Sequence, residues 1–325
     1  MKEDNFINLI KNILPESSRY IGDDTAFIKE KELILTQDTL VEDVHFRMAT
    51  ISPYDLGIKS IAVNLSDIAA AGGIAEYILV SLSLPENIDE NFVKDFYKGI
   101  NHICRKYDAL VVGGDLTRAS KITVSVSVIG YSEGLKPAKR SNAKVDDVVI
   151  TVGEFGSSTA GLWLLENKID DISPDIADKF IKAHVNPVPL LMEGRMIVKY
   201  SNTPPALMDA SDGLADALYK ISALSGVSME INYNEISIDK NLKTVADKAG
   251  INPVKWVLYG GEDYGLVGTA SKSVYEKLLA DNISVKAIGK VIKPENSSEV
   301  MINYDNNIIK INSDTLNNEA FSHFK

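Results

Sequence analysis

The sequence has 325 residues, 34 Lys+Arg against 45 Asp+Glu for a formal charge of −11, and 45% hydrophobic residues beside 24% charged ones. At roughly 150 residues per domain this is an ordinary globular balance with room for two domains, and its acidity argues against non-specific nucleic-acid binding, which needs a basic face. One cysteine, Cys104, excludes a disulfide framework and a Cys-based zinc site; no run of about 18 apolar residues offers a membrane span, so a cytoplasmic protein is expected.

Residues 1–14, MKEDNFINLIKNIL, carry acids and a broken apolar run and read as a short amphipathic helix, not a secretory signal. Segments 33–36 and 77–84 have the apolar, β-rich character of strands. Between them, Ser52-Pro53-Tyr54-Asp55 supplies an N-cap, a proline at the first helical position and an acid three residues after the cap. Apolar residues recur from Ile58 to Ala69 until Gly72-Gly73 stops the helix. A second amphipathic helix is expected over 89–107 and a short strand over 109–112. Residues 122–129, ITVSVSVI, alternate strictly and predict half-buried sheet. The one change of texture is 133–147, polar and basic with glycine and proline, and the domain junction is placed there, giving units 1–135 and 136–325. Beyond it come strands at 148–152 and 206–208, and helices at 162–166, 174–183, 189–200 and 214–225. The class is mixed α/β and α+β with some antiparallel sheet.

No phosphate-binding G-x-x-x-x-G-K-[ST] loop, kinase catalytic loop, G-x-S-x-G elbow or H-E-x-x-H occurs. Aspartates instead recur beside glycine or at expected strand ends: Gly22-Asp23-Asp24, Asp38, Asn64-Leu65-Ser66-Asp67, Gly113-Gly114-Asp115, Asp209-Ala210-Ser211-Asp212-Gly213 and Gly260-Gly261-Glu262-Asp263. Taken singly, each is a turn residue or helix cap. Asp67 is the exception, because it falls in the middle of a helix of small and apolar residues, with Asn64 one turn earlier. A carboxylate there must be paired, protonated or bound to a cation. Oxygen ligands without histidine or thiolate suit magnesium, calcium or manganese, so the set points to a metal–phosphate site. The loop Gly153–Gly161 after a strand reads either as an anion cradle or as an N-cap turn at Ser157. Arg140 reads as a phosphate ligand or a solvated linker charge, and His45 as a site residue or a structural one.

Seven motifs in order, IGDD, D-T-L-x-x-x-x-H-F, A-V-N-L-S-D-I-A-A, G-G-D-x-T, R-S-x-A-K, D-x-S-D-G-L and G-G-E-D-Y, span nearly the whole chain. The set resembles the thiamine-monophosphate kinase family, of the superfamily that includes aminoimidazole ribonucleotide synthetase and selenophosphate synthetase. The resemblance implies an N-terminal α/β domain pairing with its twin in a homodimer, a C-terminal α+β domain, and a cleft for ATP and several magnesium ions. The implied reaction is direct transfer of the γ-phosphoryl of ATP to thiamine monophosphate. It implies Asp24, Thr36, Asp38, Asp67, Asp115, Asp209 and Asp212 as magnesium ligands, directly or through water. Tyr97, Gly114, Asp115, Arg140 and Ser211 become ATP contacts, and His45, Glu262 and Phe321 contacts to the thiamine phosphate. Three positions depart from the pattern: Gln37 and Leu116 stand where threonine is usual, and Gly265 where glutamate is common. Within the superfamily the nearest alternative is an ATP-dependent synthetase or selenophosphate synthetase; the latter family normally has a reactive Cys or selenocysteine near its glycine-rich N-terminal stretch, and residues 1–40 hold no cysteine. A non-catalytic nucleotide or cation binder and a metal-dependent phosphatase are the readings from other classes.

Overall fold

The computed structural model describes residues 3–14, 16–167 and 171–319. Its strands form two sheets, one on each side of 132–147, which carries neither strand nor helix.

After helix α1 (Glu3–Ile13), the first sheet uses β1 (Ala26–Ile28) and β2 (Leu33–Val41). Helix α2 (Pro53–Ala71), β3 (Ile74–Leu84), α3 (Glu90–Lys106), β4 (Leu110–Arg118) and β5 (Thr123–Tyr131) complete that half. The strand order is β1-β2-β5-β3-β4, with β3 and β4 parallel across the α3 crossover and β5 antiparallel to both neighbours. Strict alternation in β5 buries Val124, Val126 and Val128 and leaves Ser125 and Ser127 on the opposite face, as the sequence predicts.

The second sheet orders β6 (Val148–Val152), β7 (Leu207–Asp209), β8 (Ser228–Asn232), β9 (Leu266–Ala270), β10 (Lys286–Ile292), β11 (Val300–Tyr304) and β12 (Asn307–Ile311) as β12-β11-β8-β10-β6-β9-β7. Around it run α4 (Ser157–Glu166), α5 (Pro174–Val185), α6 (Leu191–Tyr200), α7 (Leu214–Ser225), α8 (Leu242–Ala249), α9 (Pro253–Tyr259), α10 (Lys272–Ala280) and α11 (Ser313–Glu319). Phe155, Phe180, Leu218 and Val257 are fully buried in the main core of this half. Among the described residues no helix is long and apolar enough to cross a membrane.

Helix α2 joins the halves. Ser52 caps it by accepting from Asp55 N at 3.1 Å, and Gly72 ends it in the left-handed conformation at φ 71°. Its first turns meet α3 at a glycine–glycine crossing: a Cβ on Gly57 would lie 2.1 Å from Phe96 O, and one on Gly99 1.9 Å from Tyr54 O. Its last turns meet α6, where a Cβ on Gly194 would lie 2.0 Å from Ala69 O. Ala69 and Ala70 accordingly share a core with Ile150, Ile197, Leu207 and Leu266 of the second half.

One strand differs from its expectation. The segment read as ending at Val112 runs on through Gly113-Gly114-Asp115 to Arg118, pairing Ser81 with Asp115 and Leu84 with Arg118. Glycine permits it: a Cβ on Gly114 would lie 1.8 Å from Val80 O. Asp115 is therefore a mid-strand residue on an exposed edge, beside exposed Leu110, Val112 and Leu116.

The α2–α3 crossing leaves no room for a methyl group, and backbone, not a flexible side chain, is what it would strike. Gly99→Ala should cost about 1–3 kcal/mol by overpacking, read as a lower denaturant midpoint with unchanged slope. Parent-like stability would show that the helices separate freely.

Candidate active site

A cleft of about 800 Å³ opens where the two halves meet, within the size range of small-molecule sites. One side of it is a set of aspartates drawn from five places in the chain. Asp24 comes from the loop before β1, Asp38 from β2, Asp67 from α2, Asp209 from the end of β7 and Asp212 from the turn into α7. Carboxylate oxygens of Asp24, Asp67 and Asp209 lie within 4.8 Å of one another.

Local structure explains the convergence. Thr36 and Asp38, two apart on β2, share one face of the sheet, and the Thr36 hydroxyl donates to Asp67 Oδ2 at 2.5 Å. Asn64 is a clamp: its Oδ1 accepts from Asp38 N at 2.9 Å while its Nδ2 donates to Ser60 O at 3.0 Å. It fixes β2 against α2 one turn below Asp67. On the other side, Ala210 N donates to Gly265 O at 2.8 Å and Glu262 N to Ser211 O at 2.7 Å, tying the D-x-S-D turn to the G-G-E-D-Y loop.

The charges oppose one another. Burial, then the neighbouring Asp209, Asp38 and Asp24, push the Asp67 carboxyl well above the ordinary carboxylate range. Burial and Asp24 raise Asp209 to about 8, and burial, Asp24 and Asp212 raise Asp38 to about 6. Two cations answer part of this. Arg140 donates to Asp24 at 2.5 Å, and its backbone N–H to Asp23 Oδ1 at 2.8 Å. Burial works against its charge, but Asp24, Asp209 and Asp23 outweigh burial and hold the guanidinium above its usual pKa. Its Nε is buried with no hydrogen-bond partner, a donor suited to an anion. Lys220, which the sequence reading passed over, lies 2.7 Å from Asp216 and 3.3 Å from Asp212.

The cleft is also lined by Arg47, Ser158, Thr159, Glu166, His184 and Glu262. Glu262 Oε2 accepts from Lys59 Nζ at 3.1 Å and lies 3.5 Å from His184 Nδ1. Burial, with Lys59 adding, lowers the His184 pKa to about 4, so the ring is neutral. His45 also faces the cleft, its Nδ1 accepting from Val41 N at 2.9 Å. The glycine-rich loop departs from both of its sequence readings. Gly156, not Ser157, is the N-cap, and the N–H groups of Gly156 and Ser158 donate to the Asp263 carboxylate at 2.7 and 2.9 Å. The anion at this helix end is the chain's own.

The structure thus brings Asp24, Thr36, Asp38, His45, Asp67, Arg140, Asp209, Ser211, Asp212 and Glu262 to one cleft. Tyr97, on α3, and Gly114 and Asp115, on β4, are not among the residues that line it. Phe321 lies outside the described residues. Of the residues passed over, Lys59 carried the plainest signal. Like Asp67, it is a charge among small and apolar neighbours, in LGIKSIAVNL from Leu56 to Leu65.

These shifts set a pH dependence with a definite sign. Carboxyls raised from 3.8 to about 6 and about 8 favour the folded state while protonated. Their contribution is complete below about pH 4 and is lost as pH rises through 6 to 8. Cation-free protein should melt lower at pH 8.5 than at pH 6, millimolar Mg2+ should raise Tm more at pH 8.5, and Asp209→Asn should flatten the dependence. A Tm that climbs between these pH values in the absence of divalent ions would refute the account.

Comparison with known proteins follows the same lines. The family model described as AIR synthase related protein, N-terminal domain, matches residues 22–132. A thiamine-monophosphate kinase of Bacillus subtilis (strain 168) is 37% identical over 333 residues, covering 98% of this chain and 99% of its own. That of Aquifex aeolicus (strain VF5) is 37% identical over 292 residues, covering 89% and 91%. The solved structure of AaThiL complexed with AMPPCP and TMP matches with a TM-score of 0.86 at 34% identity, over 99% of this chain and 97% of that one. The hydrogenase maturation protein HypE in complex with ATP matches at 0.68 with 16% identity, over 86% and 84% of the two chains, and so shares the fold alone. The two-sheet mixed α/β architecture is that of the AIR synthase relatives, and the chain belongs to the thiamine-monophosphate kinase family.

Proposed function

We propose that this chain transfers the γ-phosphoryl group of ATP to thiamine monophosphate, giving thiamine diphosphate and ADP. The observation that carries the reading is the whole-length match to a protein of this family solved with AMPPCP, an ATP analogue, and TMP. The aspartate cleft supports it, because phosphoryl transfer needs alignment and charge neutralisation more than a protein nucleophile.

The residues of the cleft fit magnesium. Hard carboxylate oxygens and one hydroxyl converge without thiolate or histidine in the cluster, and their mutual repulsion is only partly relieved by the two cations nearby. Asp24, Thr36, Asp38, Asp67, Asp209 and Asp212 are the ligands this chain would provide, directly or through water. Magnesium bound there would neutralise the phosphate charge of the two substrates. Thr36 orients Asp67, and Arg140, with its charge held by Asp24, offers Nε to a phosphate oxygen. The acceptor phosphate is largely dianionic at neutral pH, its second pKa being about 6, so a strong base is unnecessary. Cys104 is buried in α3 with its thiol pushed up to about 11 by desolvation, which makes it unsuited to be a covalent carrier. Transfer is direct and in line, inverting configuration at phosphorus. His45 and Glu262 meet the thiamine phosphate, and Ser211 contacts ATP.

The reading includes a homodimer. Tyr97, Gly114 and Asp115 are family positions for ATP and metal, yet in one chain they stand on α3 and an exposed sheet edge. Exposed Leu110, Val112 and Leu116 flank Gly114 and Asp115 on β4, with exposed Leu79 on β3 paired to Gly113, and a contiguous apolar patch of this kind is rare on monomers. Asp115 of the partner subunit would then complete the metal set.

Two experiments test this. ADP release should depend on thiamine monophosphate and fail with thiamine or aminoimidazole precursors, and Asp67→Asn should lower kcat at least about 100-fold with the fold intact by circular dichroism. Turnover within about threefold of the parent at saturating magnesium would remove Asp67 as a ligand. Light scattering should give twice the 35.5 kDa of one chain, and Leu116→Glu should halve it; a monomeric parent at micromolar concentration would end the dimer proposal.

A further inference from the structure

The proposed reaction leaves one buried charge without a task. Lys59, in the second turn of α2, is fully buried, so its ammonium cannot touch a substrate. A lysine removed from water needs a partner, and its Nζ donates to Glu262 Oε2 at 3.1 Å. Glu262 itself is partly exposed and lines the cleft.

The loop holding Glu262 is fixed from several sides. Glu262 and Tyr264 both adopt the left-handed backbone region, at φ 64° and 51°, which costs free energy in non-glycine residues and persists only where surroundings impose it. The impositions are visible: Glu262 N donates to Ser211 O at 2.7 Å, and Asp263 between them receives the N–H groups of Gly156 and Ser158. That settles the main chain but not the Glu262 side chain. Its direction is set by Lys59, with His184 Nδ1 at 3.5 Å from the same oxygen and 3.0 Å from Ser158 Oγ. With Oε2 held inward, Oε1 is the oxygen left to meet a ligand.

Resting on the reading of thiamine monophosphate as acceptor, we infer that Lys59 is a positioning residue for that substrate: from α2 it fixes Glu262 so that Oε1 meets the cationic or amino-bearing part of the molecule. Its chemistry favours an acceptor with positive charge at that end, which thiamine monophosphate carries in its thiazolium ring and which ATP, neutral in adenine and anionic in its triphosphate, lacks. Lys59 therefore acts on one substrate and not on the other.

The test is a double-mutant cycle with parent, Lys59→Met, Glu262→Gln and the double variant, reading KM for each substrate, kcat and melting temperature. Lys59→Met and Glu262→Gln should each raise KM for thiamine monophosphate about tenfold or more while KM for ATP stays within about twofold. In the Glu262→Gln background, Lys59→Met should add no further rise, because the lysine acts through the carboxylate. A structural role alone would lower the melting temperature and leave the ratio of the two KM values unmoved. Should Lys59→Met fail to fold, the double variant, which buries no unpaired charge, is compared with Glu262→Gln: equal KM for thiamine monophosphate upholds the inference and a further rise overturns it. An unchanged KM for thiamine monophosphate in Lys59→Met or in Glu262→Gln also overturns it, while the functional reading stands. A parent that releases no ADP with thiamine monophosphate overturns that reading and the inference together.

Discussion

Like charges held together away from water are the constraint on which the rest of this structure depends. Asp24, Asp67 and Asp209 bring oxygens within 4.8 Å, and Asp23, Asp38, Asp212 and Asp216 stand close enough to perturb them or their partners. Arg140 and Lys220 are the cations paired into this group. Two unit charges 4 Å apart repel by about 4 kcal/mol at the effective dielectric near a protein surface, so seven carboxylates against two cations resist assembly. The apolar framework overrides that resistance. Helix α2 is locked to α3 through Gly57 and Gly99 and to α6 through Gly194, and Asp67 has nowhere else to go. Packing energy thus holds together carboxylates that repel one another, and any cation that binds them relieves that repulsion and stabilises the fold.

The same economy governs the N-terminal end of α4. In many nucleotide-binding proteins a helix N-terminus receives phosphate. Here the α4 N-terminus is already satisfied by Asp263, whose carboxyl burial nevertheless raises to about 7. A phosphate entering the cleft would be answered by Arg140 and by any cation held on the aspartates. This agrees with a chain that has no phosphate-binding lysine loop. Asp263 is freed to be structural, and the rigid turn it anchors is what presents Glu262.

Much of this was legible in one sequence, for identifiable reasons. The cap, proline and glycine signals around α2 are local chemistry, and they locate its ends to the residue: Ser52 caps and Gly72 terminates. Alternation in β5 is equally local. Asp67 was legible because a carboxylate in an apolar helix violates patterning, and such violations mark sites. The length of β4 was not, since glycine-rich GGD reads as a turn; only the parallel pairing with β3, a non-local contact, shows the glycines admitting Val80 O. Nor was the pairing of Lys59 with Glu262, 203 residues apart in sequence. Each residue was anomalous by itself, but no spacing rule connects them. The occupant of the α4 N-terminus was hidden for the same reason, since Asp263 arrives from more than a hundred residues away.

The positions that do not reach the cleft belong to the same argument. A motif is ordered along one chain, but a site need not be built from one chain. Tyr97, Gly114 and Asp115 stand beside a strand whose residues are almost all exposed. An edge strand in a monomer is normally defended by charge, proline or a covering element. From Leu110 to Leu116, β4 shows LVVGGDL, with Asp115 its single charge. Three exposed aliphatic side chains and two glycines make a surface that sheds water readily and admits close backbone approach. A lone acid in that surface is costly to cover unless a cation meets it. A twin chain would cover the apolar strand, and a cation held by its aspartate cleft would meet Asp115, satisfying both needs at once.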